Sequence, residues 1–234
     1  MSDGGGASAP SPDLPDLLYV VRPGDDNEEL RWSLRSVAQN LPHRKVWIAG
    51  HCPEWVTGVI RLELPPLADK FANQRQSLTA AVNQDGLSHT FLLMNDDMFV
   101  CQSVSNRYVP AHHLGPFWER YDWLVSLGKK NDWMDAIAAT AMWSGTEDMY
   151  ECHTPLPFRK HLLRQVLADY PLNQPFAAGE VYELAGVEPG VLGIDVKNNL
   201  NDTPFLSSVD HTFAKGEVGQ YVRNLFPSKC RYES

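Results

Sequence analysis

Apolar positions along this chain follow two patterns. Short, mainly apolar runs of strand length fall at residues 17–21, 45–49, 59–62 and 91–94, with Lys45 and Arg61 as their charged members. Between them, apolar residues recur at helical spacing. Leu30, Leu34 and Val37 do so behind a capping stretch at Asp25 to Asn27, which predicts a helix to about residue 40. Phe71, Leu78 and Val82 mark a second helix over 70–82 after the break at Pro65-Pro66. The succession strand, helix, strand, strand, helix, strand predicts a layered α/β architecture: a mixed, mainly parallel sheet flanked by helices, Rossmann-like in outline. Continuous apolar runs rather than alternating ones are what strands covered on both faces require.

Downstream the pattern loosens. Residues 103–116 carry His112-His113 and Gly115-Pro116 and read as loop. Helices are expected near 117–127 and, capped by Asn131, over 132–142, so that 103–142 forms a helical insert. A further helix is expected over 158–170 and a short one over 218–225, with weakly patterned apolar runs at 181–184 and 191–194. Residues 1–15 are rich in Gly, Ser and Pro and are expected to be a disordered tail, leaving 16–234 as one domain.

Composition narrows the function. With 43% hydrophobic residues and 10% aromatic, the chain can bury a substantial core. A net charge of −9 argues against a sequence-independent grip on nucleic acid, although a local arginine pocket for a small anion can coexist with it. No apolar run approaches the ~20 residues of a membrane span, and no secretory signal is evident, so a cytoplasmic location is expected. The four cysteines form no C-x-x-C pair, which makes zinc unexpected and free thiols the default. No nucleophile elbow, phosphate loop or H-E-x-x-H motif occurs.

The most informative stretch is Asn95-Asp96-Asp97, wedged between the apolar run 91–94 and Met98-Phe99-Val100. It could be an ordinary solvated turn. Adjacent carboxylates between apolar segments are costly unless their charge is compensated, and a hard divalent cation, Mg2+ or Mn2+, is the usual compensation. Carboxyl ends of strands are also where open α/β sheets bind ligands. Arg31 and Arg35 share a helix face, and arginines so placed are usually just a solvated surface.

These residues resemble a known family. Asp26-Asn27-Glu28-Glu29-Leu30-Arg31-Trp32-Ser33-Leu34-Arg35-Ser36 is similar to the first block of the Stealth sugar-phosphate transferases, roughly D-N-x-E-L-R-Y-S-L-R-S. Val46 to Gly50 with Pro53-Glu54-Trp55 resembles the segment that follows there. Asn95-Asp96-Asp97-Met98-Phe99 matches the N-D-D-M-F block, and His153-Thr154-Pro155 resembles the later H-x-P block. The final block of that family has no clear counterpart. Residues 224–233 look like the close of short glycosyltransferase-like proteins of bacteriophages, which would place the chain in a host cytoplasm.

The resemblance implies a GT-A-like fold and a nucleotide-sugar donor, a UDP-sugar first among them, on Mn2+ or Mg2+. Asp96 and Asp97 fall in the metal motif, and His211, beside Asp210, is the late ligand such folds supply. Asp96 and His153 are the implied catalytic residues, with His153 as general acid or base. Tyr19, Arg22 and Asp25 would line the base and ribose. Arg31 or Arg35 would reach phosphate, with Lys70 and Asn73 placed similarly. The reaction expected first is glycosyl transfer to a glycan, virion protein or modified DNA base, with sugar 1-phosphate transfer as its rival. A non-catalytic carbohydrate-binding module using the seven tryptophans is the reading from another class.

Overall fold

The computed structural model describes residues 14–24, 26–104, 109–200 and 203–234. The expected tail lies almost wholly outside the described residues, as does Asp25. The chain runs β1 (Asp16–Val21), α1 (Glu28–Asn40), β2 (Val46–Gly50), β3 (Ile60–Glu63), α2 (Lys70–Val82), β4 (Thr90–Met94) and β5 (Met98–Val100). It continues with β6 (His112–His113), α3 (Phe117–Ser126), α4 (Asp132–Ser144), β7 (Leu156–Arg159), α5 (Lys160–Asp169) and α6 (Tyr182–Ala185). It closes with β8 (Val191–Leu192), β9 (Phe205–Ser207), α7 (Asp210–Lys215) and α8 (Glu217–Leu225).

The central sheet has the order β3-β2-β1-β4-β7. β1 pairs in parallel with β2 and with β4, so that Tyr19 lies between Ile48 and Met94. Alternation along these strands divides the core in two. Leu18, Trp47, Phe91 and Leu93 pack on one face against Leu78 and Val82 of α2 and Leu163 and Leu167 of α5. Leu17, Tyr19, Ile48 and Leu92 pack on the other against Leu30, Leu34 and Val37 of α1. Both faces of the central strands β1, β2 and β4 are therefore covered, whereas the edge strand β3 alternates half-buried Ile60 and Leu62 with exposed Arg61 and Glu63. The fold is the mixed, mainly parallel, helix-flanked sheet that the sequence predicts.

Asp16 fixes the register of the central strands at their start. It is fully buried and accepts hydrogen bonds from Arg44 (2.9 and 2.6 Å), Trp47 Nε1 (2.9 Å) and the Ser88 amide (2.9 Å). A buried carboxylate is tolerated when its oxygens are answered in this way.

Two expectations are corrected. Residues 158–170 are not one helix: 156–159 form β7, antiparallel to β4 with Phe158 opposite Phe91, and the helix begins at Lys160. Without β7 the far edge of β4 would leave buried backbone groups unpaired. Nor is 103–116 loop throughout, since His112-His113 form β6, paired in parallel with β8. The run at Met98–Val100 is a strand paired with β9, a partner more than 100 residues later. Among the described residues, no helix is long and apolar enough to cross a membrane.

Candidate active site

The chain leaves β1 toward β2 and β3, then returns to place β4 on β1's other side. The carboxyl ends of β1 and β4 thus border the point where strand order reverses, the place where such sheets bind ligands. A cleft of about 810 Å³ opens there, lined by Arg22, Lys70, Asn73, Asp96, Asp97 and His211 among others. Gly50, at the end of β2, forms part of the wall with φ +105°; a Cβ there would run into the Val21 carbonyl. Only glycine lets the two strand ends come this close.

Asn95 to Asp97 turn the chain from β4 into β5, with the Met98 amide donating to the Asn95 carbonyl at 3.2 Å. Asp96 is held by Asn27, whose Nδ2 donates to Oδ2 at 2.7 Å while its Oδ1 caps α1 at the Leu30 amide, 3.0 Å away. Asn27 adopts a left-handed backbone, φ 40°, to serve both. Asp97 differs: its Oδ1 is buried and has no hydrogen-bond partner. Burial raises both carboxyls above the usual range; the Asp97 charge raises Asp96 further, whereas Lys197 and His153 draw Asp97 back. Glu29, hydrogen-bonded by Ser208 at 2.5 Å, is pushed up to about 7 by burial and by the charges of Asp97, Asp96 and Asp210.

Excess carboxylate charge and an orphaned oxygen fit a hard cation. Among the described residues no group of three or more His, Cys, Asp and Glu side chains is arranged to hold an ion. His211 lines the cleft but does not converge with Asp96 and Asp97 into one ligand set. The donor set is that of a cation taken on one or two carboxylates plus substrate oxygens and water, as is usual for magnesium.

His153 stands at the boundary with a second cavity of about 620 Å³; Gln74, Asn95, Asp97, Trp133 and Lys197 line both spaces. Its Nδ1 lies 2.9 Å from Asp195 Oδ1, and its Nε2 lies 3.4 Å from Lys197 Nζ. An Nδ1–H donated to Asp195 leaves the Nε2 lone pair facing the lysine. Burial is the largest single influence and works to raise the Asp195 carboxyl, but the hydrogen bond and charge of His153, with the Lys197 amide and charge, together outweigh it and the net shift is downward. His153 also has a left-handed backbone, φ 54°, of the kind that clusters at functional sites. Behind it, Glu151 accepts from Trp133 Nε1 at 3.0 Å, and Glu180 is fully buried with neither carboxylate oxygen paired.

Three expected donor residues lie elsewhere. Tyr19 is wholly buried, its hydroxyl 2.9 Å from Ser33 Oγ, because alternation turns it under α1 rather than into the cleft. Arg31 and Arg35 face the C-terminal segment: Glu233, with no exposed side-chain surface, sits 3.3 Å from Arg31 and 2.8 Å from Arg35. Arg35 also donates to the Phe226 carbonyl at 3.0 Å. Their shared helix face is a structural anchor. Arg22, Lys70 and Asn73 do reach the cleft. Arg22 holds an exposed ion pair with Asp210 at 2.8 Å, and Asn73 is engaged with the backbone of Leu67. Glu29, Gln74, Glu151, Asp195 and Lys197 join the two cavities without having been foreseen as site residues. Asp195 and Lys197 follow a weak apolar run and carry no motif; only tertiary pairing with His153 reveals them.

No family model matches the chain. It is similar to an exopolysaccharide phosphotransferase of Streptomyces coelicolor, 28% identical over 167 residues. That alignment takes in 62% of this chain and 18% of the relative, so the chain matches less than a fifth of the relative's length.

Proposed function

We propose that this protein is a transferase that moves sugar 1-phosphate from a nucleotide-sugar to an acceptor hydroxyl, with Mg2+ or Mn2+ held by Asp96 and Asp97. The observation that carries the reading is the half-buried acidic pair at the switch point of the sheet, only partly compensated by its neighbours, with Asp97 Oδ1 buried and unpaired. The likeness to a phosphotransferase favours phosphosugar transfer over the glycosyl transfer that the acidic motif alone suggests. A GT-A-like placement of a UDP-sugar, with its diphosphate over Asp96 and Asp97, suits the cleft's volume and its cationic residues Arg22, Lys70 and Lys197.

When bound, a divalent cation neutralises charge developing on the donor diphosphate. The chain's own residues do the rest. Asp195 accepts the Nδ1–H of His153 and so keeps the Nε2 lone pair on the side of the second cavity. The acceptor hydroxyl gives its proton to that Nε2 as its oxygen bonds to the sugar-bearing phosphorus. The bond from that phosphorus to the oxygen bridging the two phosphates breaks, and nucleoside monophosphate leaves with the electron pair. Lys197, beside both Asp97 and His153, offers positive charge where the phosphoryl group passes. Arg22 gives up little by leaving its exposed pair with Asp210 for phosphate.

Calorimetry with UDP-sugars and Mn2+ tests the site: binding should require the cation and vanish in Asp97→Ala. Cation-independent binding retained in that variant would sink the proposal. The released nucleotide decides the reaction, since monophosphate marks phosphosugar transfer and diphosphate marks glycosyl transfer. The alternative of a non-catalytic carbohydrate-binding module gives no role to the His153–Asp195 pair; glycan binding without turnover on any nucleotide-sugar would favour it.

A further inference from the structure

Buried polar atoms without hydrogen-bond partners are rare in folded proteins, because each forfeits its solvation with nothing in return. In this protein they are not scattered evenly. Besides Asp97 Oδ1, the amide oxygen of Gln74, Nε of Arg120 and Oγ1 of Thr154 are all buried and unpartnered. All of these residues line the second cavity.

The kind of atom left over limits the occupant. Arg120 Nε can only donate and the Gln74 oxygen can only accept, while the Thr154 hydroxyl can do either. An inorganic anion would answer Arg120 and Thr154 but meet the Gln74 oxygen and the Asp97 carboxylate with repulsion. An ammonium group would fail at Arg120. Hydroxyl groups, which donate and accept, satisfy all of them. Apolar and aromatic side chains, including Trp123, Trp133 and Ile137, share the walls with the charged Lys129, Glu151, Asp195 and Lys197, and the Arg120 guanidinium lies 4.3 Å from the Trp123 ring centroid. Flat aromatic faces beside a few convergent polar atoms suit the apolar face and hydroxyl rim of a sugar ring. A volume of about 620 Å³ is in the range of small-ligand sites and admits a short saccharide.

We infer that the second cavity is a saccharide site, in which Arg120, Thr154 and Gln74 hold ring hydroxyls and the tryptophans cover the apolar face. The inference rests on the transferase reading only in making this saccharide the acceptor. One of its hydroxyls then lies beside His153, and Arg120 and Thr154 determine which sugars are accepted.

The test uses the full chain on a glycan array, without donor or metal, followed by calorimetry with the best-bound array glycan. Wild type retains a subset of glycans. Thr154→Val and Arg120→Leu each weaken that binding about tenfold, as expected for one lost hydrogen bond of good geometry. UDP-sugar and Mn2+ affinity, measured in parallel, stays within about twofold, and Thr154→Val does not lower the melting temperature, since it removes an unpaired buried atom. An array on which no glycan is retained overturns the inference, as does unaltered glycan affinity in both variants. Glycan binding without any donor binding would defeat the transferase reading and leave the saccharide site standing. Donor binding with an empty array would do the reverse.

Discussion

Two buried glutamates show how one residue type takes opposite roles according to its partners. Glu233 is enclosed by Arg31 and Arg35 and its carboxyl is lowered to about 2: burial opposes ionisation, but the Arg35 hydrogen bond and charge prevail. Its folded pKa lies below the unfolded value, so its stabilisation is complete above about pH 4.5 and is lost as pH falls toward 2. Glu233→Gln should destabilise the protein at pH 7 by roughly 2–3 kcal/mol, below the usual cost of breaking a buried pair because the arginines keep some solvent. The difference from wild type should narrow in urea titrations near pH 3. Glu180 is the mirror case. Burial, with Glu151 adding to it, raises Glu180 well above the usual carboxylate value. Wild-type stability should therefore decline as pH rises past about 4.5 toward that raised pKa, and Glu180→Gln should flatten the decline. Equal slopes for wild type and variant would show Glu180 to be ionised and paired. At the boundary of the cavities, His153→Gln should lower the rate of transfer roughly 10²–10⁴-fold, with donor affinity unchanged, as removal of a general base does. Asp195→Asn should lower it less and leave His153 in place by NMR.

At the scale of elements, the proposed cation site depends on a helix start. Asn27 caps α1 with one side-chain atom and holds Asp96 with the other, from a left-handed backbone at φ 40°. Asn27→Ala should cost about 1 kcal/mol for the cap, measured in urea, and should weaken Mn2+ binding as well because Asp96 loses its positioning donor. Loss of stability with unchanged Mn2+ affinity would separate the two roles. The same paragraph of sequence, Asn27 through Arg35, thus serves two ends of one helix: its start positions the acidic pair, and its arginines tie down the C-terminal residues. Helix α1 was legible because Leu30, Leu34 and Val37 repeat at helical spacing. The destination of Arg31 and Arg35 was not, since helix-face periodicity says which residues stand together and nothing about what they face. β7 was hidden for a related reason. Leu156 to Arg159 is a short apolar stretch fused to a helix, and only the open edge of β4 makes it a strand.

Taken whole, the molecule sets two cavities side by side across Asp97, Trp133 and Lys197. The sheet supplies the first at the carboxyl ends of the neighbouring parallel strands β1 and β4; the insert helices α3 and α4, with the segments around Glu151 and Asp195, supply the second. Because the donor would bridge elements far apart in sequence, binding should stabilise the whole fold. At a hundredfold excess over Kd, UDP-sugar with Mn2+ should add about 2.7 kcal/mol to unfolding and raise the melting temperature. Mn2+ withheld, the shift should disappear; a shift indifferent to the cation would contradict the proposed ligand set.

Consecutive residues alone were enough for the strand and helix succession as far as β4, for the covered central strands, and for the position of Asp96 and Asp97 at a strand end. These follow from local periodicity and from the cost of adjacent carboxylates between apolar runs, both of which are written in consecutive residues. Only the tertiary structure decided that Asp97 keeps an oxygen unpaired, and that Asp195 and Lys197 flank His153. It also decided that Tyr19, Arg31 and Arg35 serve the core and the C-terminus rather than the cleft. Those outcomes depend on which distant side chains share a small buried space. Hydrogen bonding and charge compensation act through that space and not along the chain.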